Sequence, residues 1–399
     1  MSNVNFEETK PWNKVGIEIE YTDIIPDRIS PLRNLLHDEG FIITHDASVE
    51  SPTVMLDNLP IKGKTLDPFI NDMLLRHATI GGEIVSPIID TSDDDWLELF
   101  DQIFSLLKQF GERAHTNRGS IHVHVNFPFD LAKNDRINRH SIGILRRAWI
   151  LAGYFEYAFF KIGAFCRPHR GRVMDYIYYR PITNSGPAII DSRGGARPIL
   201  VYDEVLNSKN WREFFVRCGD IWNCEGRYHP CRYMWINFYN LIKAGTRPHL
   251  EFRVFNKTLR WDYLWVAVEL CKKFVETCYL IDTNTIKKLT QNKINGLSNP
   301  PADLKEYFNE LIKFLNIEDY ALIESLWRIY DLSPQPEYID DRVWSHLRDR
   351  NAVFRDSEFE EYWPEILTDR ESRKVRTPNY IDIHKLKNMG ETIFPEEML

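Results

Sequence analysis

The sequence predicts an α+β fold: an antiparallel β-sheet flanked by helices, with a further helical region towards the C-terminus. Three observations carry this reading. Apolar–polar alternation of period two marks strands at Val15-Gly16-Ile17-Glu18-Ile19-Glu20-Tyr21, Ile121-His122-Val123-His124-Val125-Asn126 and His249-Leu250-Glu251-Phe252-Arg253-Val254-Phe255. Longer segments with helical spacing lie between and after them. The two kinds of element alternate without a regular β-α-β beat, which favours an antiparallel sheet over a doubly wound parallel one.

The elements follow in order. Residues 14 to 22 read as a strand. Pro26 and Pro31 bracket a turn, and Leu32 to Gly40 reads as a short helix closed by its glycine. Phe41 to Thr44 reads as a strand leading into His45-Asp46-Ala47-Ser48-Val49-Glu50. Gly81 to Pro87 is a glycine-led strand stopped by a proline. Asp93 to Phe110 has an acidic first turn and an apolar stripe of Trp96, Leu97, Phe100, Ile103, Phe104 and Leu107, as a helix requires. After the His122 strand, Asn138 to Ile162 reads as a long, mostly buried helix. From Cys166 to Arg197 arginines (Arg167, Arg170, Arg172, Arg180, Arg193, Arg197) alternate with glycines, which reads as loops around an electropositive mouth. Trp211 to Val216 reads as a short helix, Tyr233 to Leu241 as an aromatic-rich strand or extended segment, and Leu250 to Phe255 as the third alternating strand. Trp261 to Leu280 is a helix. A break rich in Thr, Asn, Lys, Gly and Pro spans about 282 to 300, two helices are expected within Ala302 to Tyr330, and a polar tail starts at Ser333. This divides the chain into a catalytic domain, 1–281, and a C-terminal helical extension and tail, 282–399.

Composition narrows the function. With 399 residues, 43% of them hydrophobic, the chain can build a substantial core without disulfides. The formal net charge of −8 argues against a protein that coats nucleic acid through bulk electrostatics, although 50 Lys and Arg leave room for a local basic pocket. The longest apolar run, Ala148 to Phe160, is interrupted by Glu156 and is too short to span a bilayer. Met1 to Lys14 has no apolar core of a signal peptide, so a cytoplasmic protein without membrane partners is expected. The six cysteines then read as reduced thiols. Cys218, Cys224, His229 and Cys231 raise a zinc question, but they lack a tight C-x-x-C pair, and buried free thiols are the simpler reading.

The alternating strands carry the chemistry. Residues i and i+2 of a strand share a face, roughly 6.5–7 Å apart. Glu18 and Glu20, His122 and His124, and Glu251 and Arg253 therefore each present two polar groups on one face. Glu-x-Glu alone would suit a solvent-facing edge strand. Three such pairs argue otherwise, because buried carboxylates are costly unless cations or donors compensate them. Hard carboxylates with one or two imidazoles suit Mg²⁺ or Mn²⁺ better than zinc.

These residues also carry a resemblance. Gly16-Ile17-Glu18-Ile19-Glu20, Gly82-Glu83-Ile84-Val85-Ser86-Pro87, Gly119-Ser120-Ile121-His122-Val123-His124-Val125 and Glu251-Phe252-Arg253-Val254-Phe255-Asn256, in that order, resemble the amidoligases. That family comprises carboxylate–amine ligases related to glutamine synthetase and glutamate–cysteine ligase. Arg232-Tyr233-Met234-Trp235-Ile236-Asn237 resembles its Arg-Tyr…Asn segment, and Asp46-x-Ser48 its Asp-Gly-Ser segment, with Ala47 where glycine is usual. The resemblance covers roughly residues 14 to 280. It implies a glutamine-synthetase-like catalytic domain with a curved antiparallel sheet, and an ATP-dependent ligase that forms an amide through an acyl phosphate. It further implies that Glu18, His122 and Glu251 hold the metal bridging the ATP phosphates, and that Glu20 and Glu83 hold the metal nearer the acid. His124 is a second candidate ligand or substrate contact. The resemblance also implies that Arg253 lies against the transferring phosphoryl group, and Glu50 is a candidate acceptor for the amine's proton. Arg193, Arg197, Arg232 and Asn237 are candidate nucleotide or substrate contacts, and Asn126 a candidate substrate contact. The implied partners are small-molecule or peptide carboxylates and amines, and a homo-oligomer is left open. A phosphotransferase of the same fold resembling guanidino kinases would need a guanidinium pocket and a reactive cysteine, for which no motif is present. A metal-dependent hydrolase using His122 and His124 would have less need of Arg253. A non-catalytic metal- or nucleotide-binding scaffold would be expected to have lost some of these ligands.

Overall fold

The computed structural model of the protein describes residues 10–24, 26–44, 80–92, 95–110, 115–127, 138–165, 182, 205–218, 234–242, 247–282, 285–286 and 301–333. Their strands are β1 (Lys14–Ile24), β2 (Ile42–Thr44), β3 (Ile80–Val85), β4 (Ile89–Asp90), β5 (His115–Asn126), β6 (Ile236–Asn237) and β7 (His249–Thr258). Their helices are α1 (Pro26–Asp38), α2 (Asp95–Gln109), α3 (Asn138–Gly163), α4 (Trp211–Cys218), α5 (Trp261–Leu280), α6 (Leu304–Phe314) and α7 (Tyr320–Leu332).

The strands form one seven-stranded sheet in the order β2-β3-β1-β5-β7-β6, with β4 also pairing β1. Every pairing is antiparallel, as the irregular alternation predicts. β1 lies in the interior of the sheet, between β3 and β5, so Glu18 and Glu20 are not on the solvent-facing edge strand that Glu-x-Glu alone would have suggested. One face is apolar: Ile17, Ile19, Ile84, Ile121, Val123, Val125, Leu250, Phe252 and Phe255 are all buried. Each such side chain contributes about 1.5–3 kcal/mol through burial.

Helices cover that face. α5 packs on β5 and α2, and α3 packs on β7 and α5. α3 is apolar nearly all round, with Trp149, Phe155, Phe159 and Phe160 fully buried, so it is a core helix rather than a surface one. Its last residue, Gly163, touches β7, where an added Cβ would stand 2.3 Å from the Val254 carbonyl oxygen. α6 and α7 lie against α3, and α7 also against α5. Tyr307 Oη donates to the Tyr154 carbonyl at 2.7 Å. Each of these two helices is capped by an aspartate that accepts two backbone N–H bonds, Asp303 from Lys305 and Glu306, and Asp319 from Ala321 and Leu322.

Two local expectations are corrected. The turn between Pro26 and Pro31 is helical: α1 starts at Pro26, whose missing N–H costs nothing at a helix start, and keeps Pro31 inside. Gly40 does close the turn after α1, with φ of +78°. The extended segment expected over 233–241 narrows to the two residues of β6, followed by a 3₁₀ turn at Tyr239–Leu241.

Candidate active site

The opposite face of the sheet gathers the polar residues. Antiparallel register sets Glu20 beside Glu83, Glu18 beside His122, and His124 beside both Gly16 and Glu251. β6 adds Asn237 beside Glu251. Side chains opposite one another in a ladder share a face, so strands distant in sequence meet in one patch.

His122 is the centre of this patch and fully buried. Its Nδ1 lies 2.9 Å from Glu18 Oε2 and 3.6 Å from Glu251 Oε1, and its Nε2 lies 2.8 Å from Ser120 Oγ and 3.6 Å from Glu20 Oε1. The two deepest carboxylates are each oriented by neutral donors on one oxygen. Ser120 donates through both N–H and Oγ–H to Glu20 Oε2, at 2.6 Å each. Asn237 and Asn240 donate to Glu251 Oε2 at 2.7 and 2.8 Å. The other oxygen of each faces His122. Arg253 donates to Glu251 Oε1. Thr44 Oγ1 donates to Glu83 at 3.3 Å.

Charge state follows from these contacts. Burial raises the Glu18 pKa, but the charge of His124 and the contacts with His122 and His124 outweigh it and hold the carboxylate well below its ordinary value. Burial opposes ionisation of Glu251 too, and Arg253 with His124 overcomes it despite repulsion from Glu18. His124 is pushed up, because attraction to Glu18 exceeds the effect of burial. Among the described residues the buried Nε2 of His124 makes no aligned hydrogen bond; its ion-pair partner, Glu18 Oε1, lies 3.2 Å away.

Two sets of three groups have ligand atoms within 4.8 Å of one another: Glu18, Glu83 and His122, and Glu18, His124 and Glu251. Closely spaced carboxylates and imidazoles fit a hard divalent cation with oxygen and nitrogen ligands. The grouping differs from the one implied by resemblance, which joined Glu18, His122 and Glu251 and set Glu20 with Glu83. All six ligand candidates and Arg253 nevertheless lie together on this face.

Other expectations sort differently. Both amide ends of Asn237 are engaged within the protein, one on Glu251 and the other accepting from the Tyr239 N–H at 2.8 Å, so Asn237 orients a carboxylate. Asn126 donates to the Pro11 carbonyl at 3.2 Å, which explains it without a substrate. Glu50, Arg193, Arg197 and Arg232 lie outside the described residues, as do Cys224, His229 and Cys231. Sequence reasoning missed Ser120, Asn240 and His249. Ser120 continues the two-residue spacing of His122 and His124 and could have been found by it. His249 precedes Glu251 by the same spacing; its Nδ1 donates to the Arg247 carbonyl at 2.7 Å and its ring meets His124 edge-on at 4.9 Å. Nothing in its own neighbourhood singles out Asn240.

The fold and this face define a mixed helix and antiparallel-sheet protein with a carboxylate–imidazole–arginine centre. Residues 11–175 match the family described as "Putative amidoligase enzyme", which bears out the resemblance read from the motifs over that span. The match supports an amide-bond-forming ligase in general terms. No curated protein matches the chain. Among solved structures, a bifunctional glutathione synthetase from Pasteurella multocida is similar at 10% identity and a TM-score of 0.40, covering 86% of this chain and 51% of that one. The chain thus spans about half of that protein's length, and a likeness of this size carries no inference.

Proposed function

We propose that the protein is an ATP-dependent carboxylate–amine ligase with a glutamine-synthetase-like catalytic domain in residues 1–281. The observation that carries the proposal is the convergence of Glu18, Glu20, Glu83, His122, His124, Glu251 and Arg253 on one sheet face, several of them buried and held charged. A hydrolase would use part of this set. An arginine beside an ionised, doubly oriented glutamate fits better with charge that develops on a transferring phosphoryl group.

In this reading the carboxylate substrate attacks the γ-phosphorus of ATP, and ADP departs. The amine then attacks the acyl carbon, loses a proton, and inorganic phosphate leaves as the amide forms. Mg²⁺ or Mn²⁺, when bound, would neutralise phosphate oxygens and position the acid. Glu18, Glu83 and His122 would hold one cation, and Glu18, His124 and Glu251 the other. Glu20 orients the centre from below through Ser120 and His122. Arg253 supplies a fixed guanidinium to the phosphoryl oxygens while Glu251 holds it in place. Glu50 as proton acceptor, and Arg193, Arg197 and Arg232 as anion contacts, complete the proposal. The reaction is placed in the cytoplasm, on small-molecule or peptide substrates.

The test is to follow ADP and phosphate release with ATP, Mg²⁺ and pooled amino acids, polyamines and peptides. ADP formation that requires both an acid and an amine is expected. ATP-independent cleavage of an amide or phosphoester would sink the proposal. Glu251→Gln and Arg253→Ala should each abolish turnover while the far-ultraviolet circular dichroism stays native. Rates near wild type in both would remove this strand from the mechanism.

A further inference from the structure

Glu156 is a buried carboxylate that the site does not use. It sits on α3, fully buried among aromatic side chains on the apolar side of the sheet. A charge there is costly unless donors compensate it. Its Oε2 accepts from the Trp235 indole Nε1–H at 3.1 Å and from the Ile182 backbone N–H. On this evidence alone Glu156 would be a satisfied core acid.

The other end of Trp235 changes that reading. Its carbonyl accepts the Arg253 N–H at 2.7 Å. This bond lies where β7 shifts register against β5: Ile121 pairs Phe255 and Val123 pairs Phe252, so Arg253 and Val254 together oppose the single His122. A bulge of this kind re-aims a side chain and disrupts the ladder locally, and here the Trp235 carbonyl holds the Arg253 N–H from the other edge of β7. The indole is wedged against Phe159 at 4.8 Å and lies 6.3 Å from Phe252, so its position and that of its backbone are linked. Two residues on, the same segment delivers Asn237 to Glu251.

We propose that Glu156 is a positioning residue for the site on the far side of the sheet. By fixing the Trp235 indole, it fixes the carbonyl that pins Arg253 at the bulge and the strand that sets Asn237 on Glu251. Its proposed effect on nucleotide affinity rests on the ligase reading; its effect on the bulge does not.

The experiment compares Glu156→Leu, Glu156→Gln, Trp235→Phe and wild type. Glutamine keeps a carbonyl oxygen for both donors, leucine keeps only bulk, and phenylalanine removes the indole donor. Indole ¹H–¹⁵N spectra, with Trp235 assigned by its loss in Trp235→Phe, should show that resonance displaced in Glu156→Leu. Hydrogen exchange across residues 250–255 should show the Arg253 amide deprotected in Glu156→Leu and Trp235→Phe, and protected in Glu156→Gln. Affinity for a non-hydrolysable ATP analogue with Mg²⁺ should fall about tenfold or more in the deprotected variants, the usual cost of losing a group that orients a ligand, and recover in Glu156→Gln. An Arg253 amide as protected in both deleted variants as in wild type overturns the proposal. If wild type binds no nucleotide yet the amide is deprotected as expected, the ligase reading fails and the positioning role stands. If Glu156→Leu does not fold, Glu156→Met, of similar length and without an acceptor oxygen, takes its place in the exchange measurement.

Discussion

At the residue scale the site depends on how its carboxylates are aimed. Glu20 and Glu251 each receive two neutral hydrogen bonds on one oxygen, which fixes the plane of the carboxylate and leaves the other oxygen towards His122. Groups that orient ligands in this way typically change metal affinity about 10–100-fold when removed. Ser120→Ala keeps the backbone N–H bond to Glu20 and loses the hydroxyl, which bridges Glu20 and His122 Nε2, so Mn²⁺ affinity measured by calorimetry should fall towards the lower end of that range. Unchanged affinity would show that the hydroxyl orients neither Glu20 nor His122. Glu18, Glu20, His122, His124 and Glu251 were legible in the sequence because two-residue spacing is a local property, whereas Glu83 was marked only by the resemblance. Their orienting partners were not legible: Ser120 and Glu20 are a hundred residues apart, and only the pairing of β1 with β5 joins them.

At the element scale, α3 and β7 approach too closely at Gly163 to admit a side chain. Gly163 allows this approach, since any Cβ there would meet the Val254 carbonyl oxygen at 2.3 Å and Val254 Cγ2 at 2.9 Å. Gly163→Ala must push β7 away next to the bulge at Arg253. We expect a loss of about 1–3 kcal/mol in urea unfolding, the usual cost of overpacking, together with a loss of turnover larger than the fraction unfolded explains. A stability change without that activity loss would separate the helix contact from the site. Element types were readable from periodicity: Trp261–Leu280 matches its expected bounds, and the long buried helix extends only to Gly163. The interior position of β1 was not readable, because which strands flank it is decided by non-local pairing. The brevity of β6 was hidden for a related reason. Aromatic residues favour strands, but here Trp235 and Phe238 serve the core around α3 instead of extending the ladder.

At the scale of the whole molecule, the helices beyond residue 300 share one hydrophobic core with the sheet. Phe308, Leu311, Leu326 and Ile329 are fully buried, and Lys161 Nζ, near the end of α3, donates to the Ser333 carbonyl. The described residues beyond 300 therefore do not form a core separate from that of the sheet. A chain ending at residue 300 should expose this surface, bind a hydrophobic dye and lose cooperative melting; a native-like sharp transition would contradict it. Among the described residues no helix is long and apolar enough to cross a membrane. One last consequence concerns Glu18, which belongs to both carboxylate–imidazole sets. A ligand held in common makes two binding positions a single thermodynamic unit. Occupancy of either must alter the affinity of the other, by the same factor in both directions. A calorimetric Mn²⁺ titration should accordingly resolve two unequal steps in wild type. Equal, independent steps would mean that Glu18 serves only one position. With Glu18 shared, the centre would load in sequence, and free cation concentration would govern when it is complete.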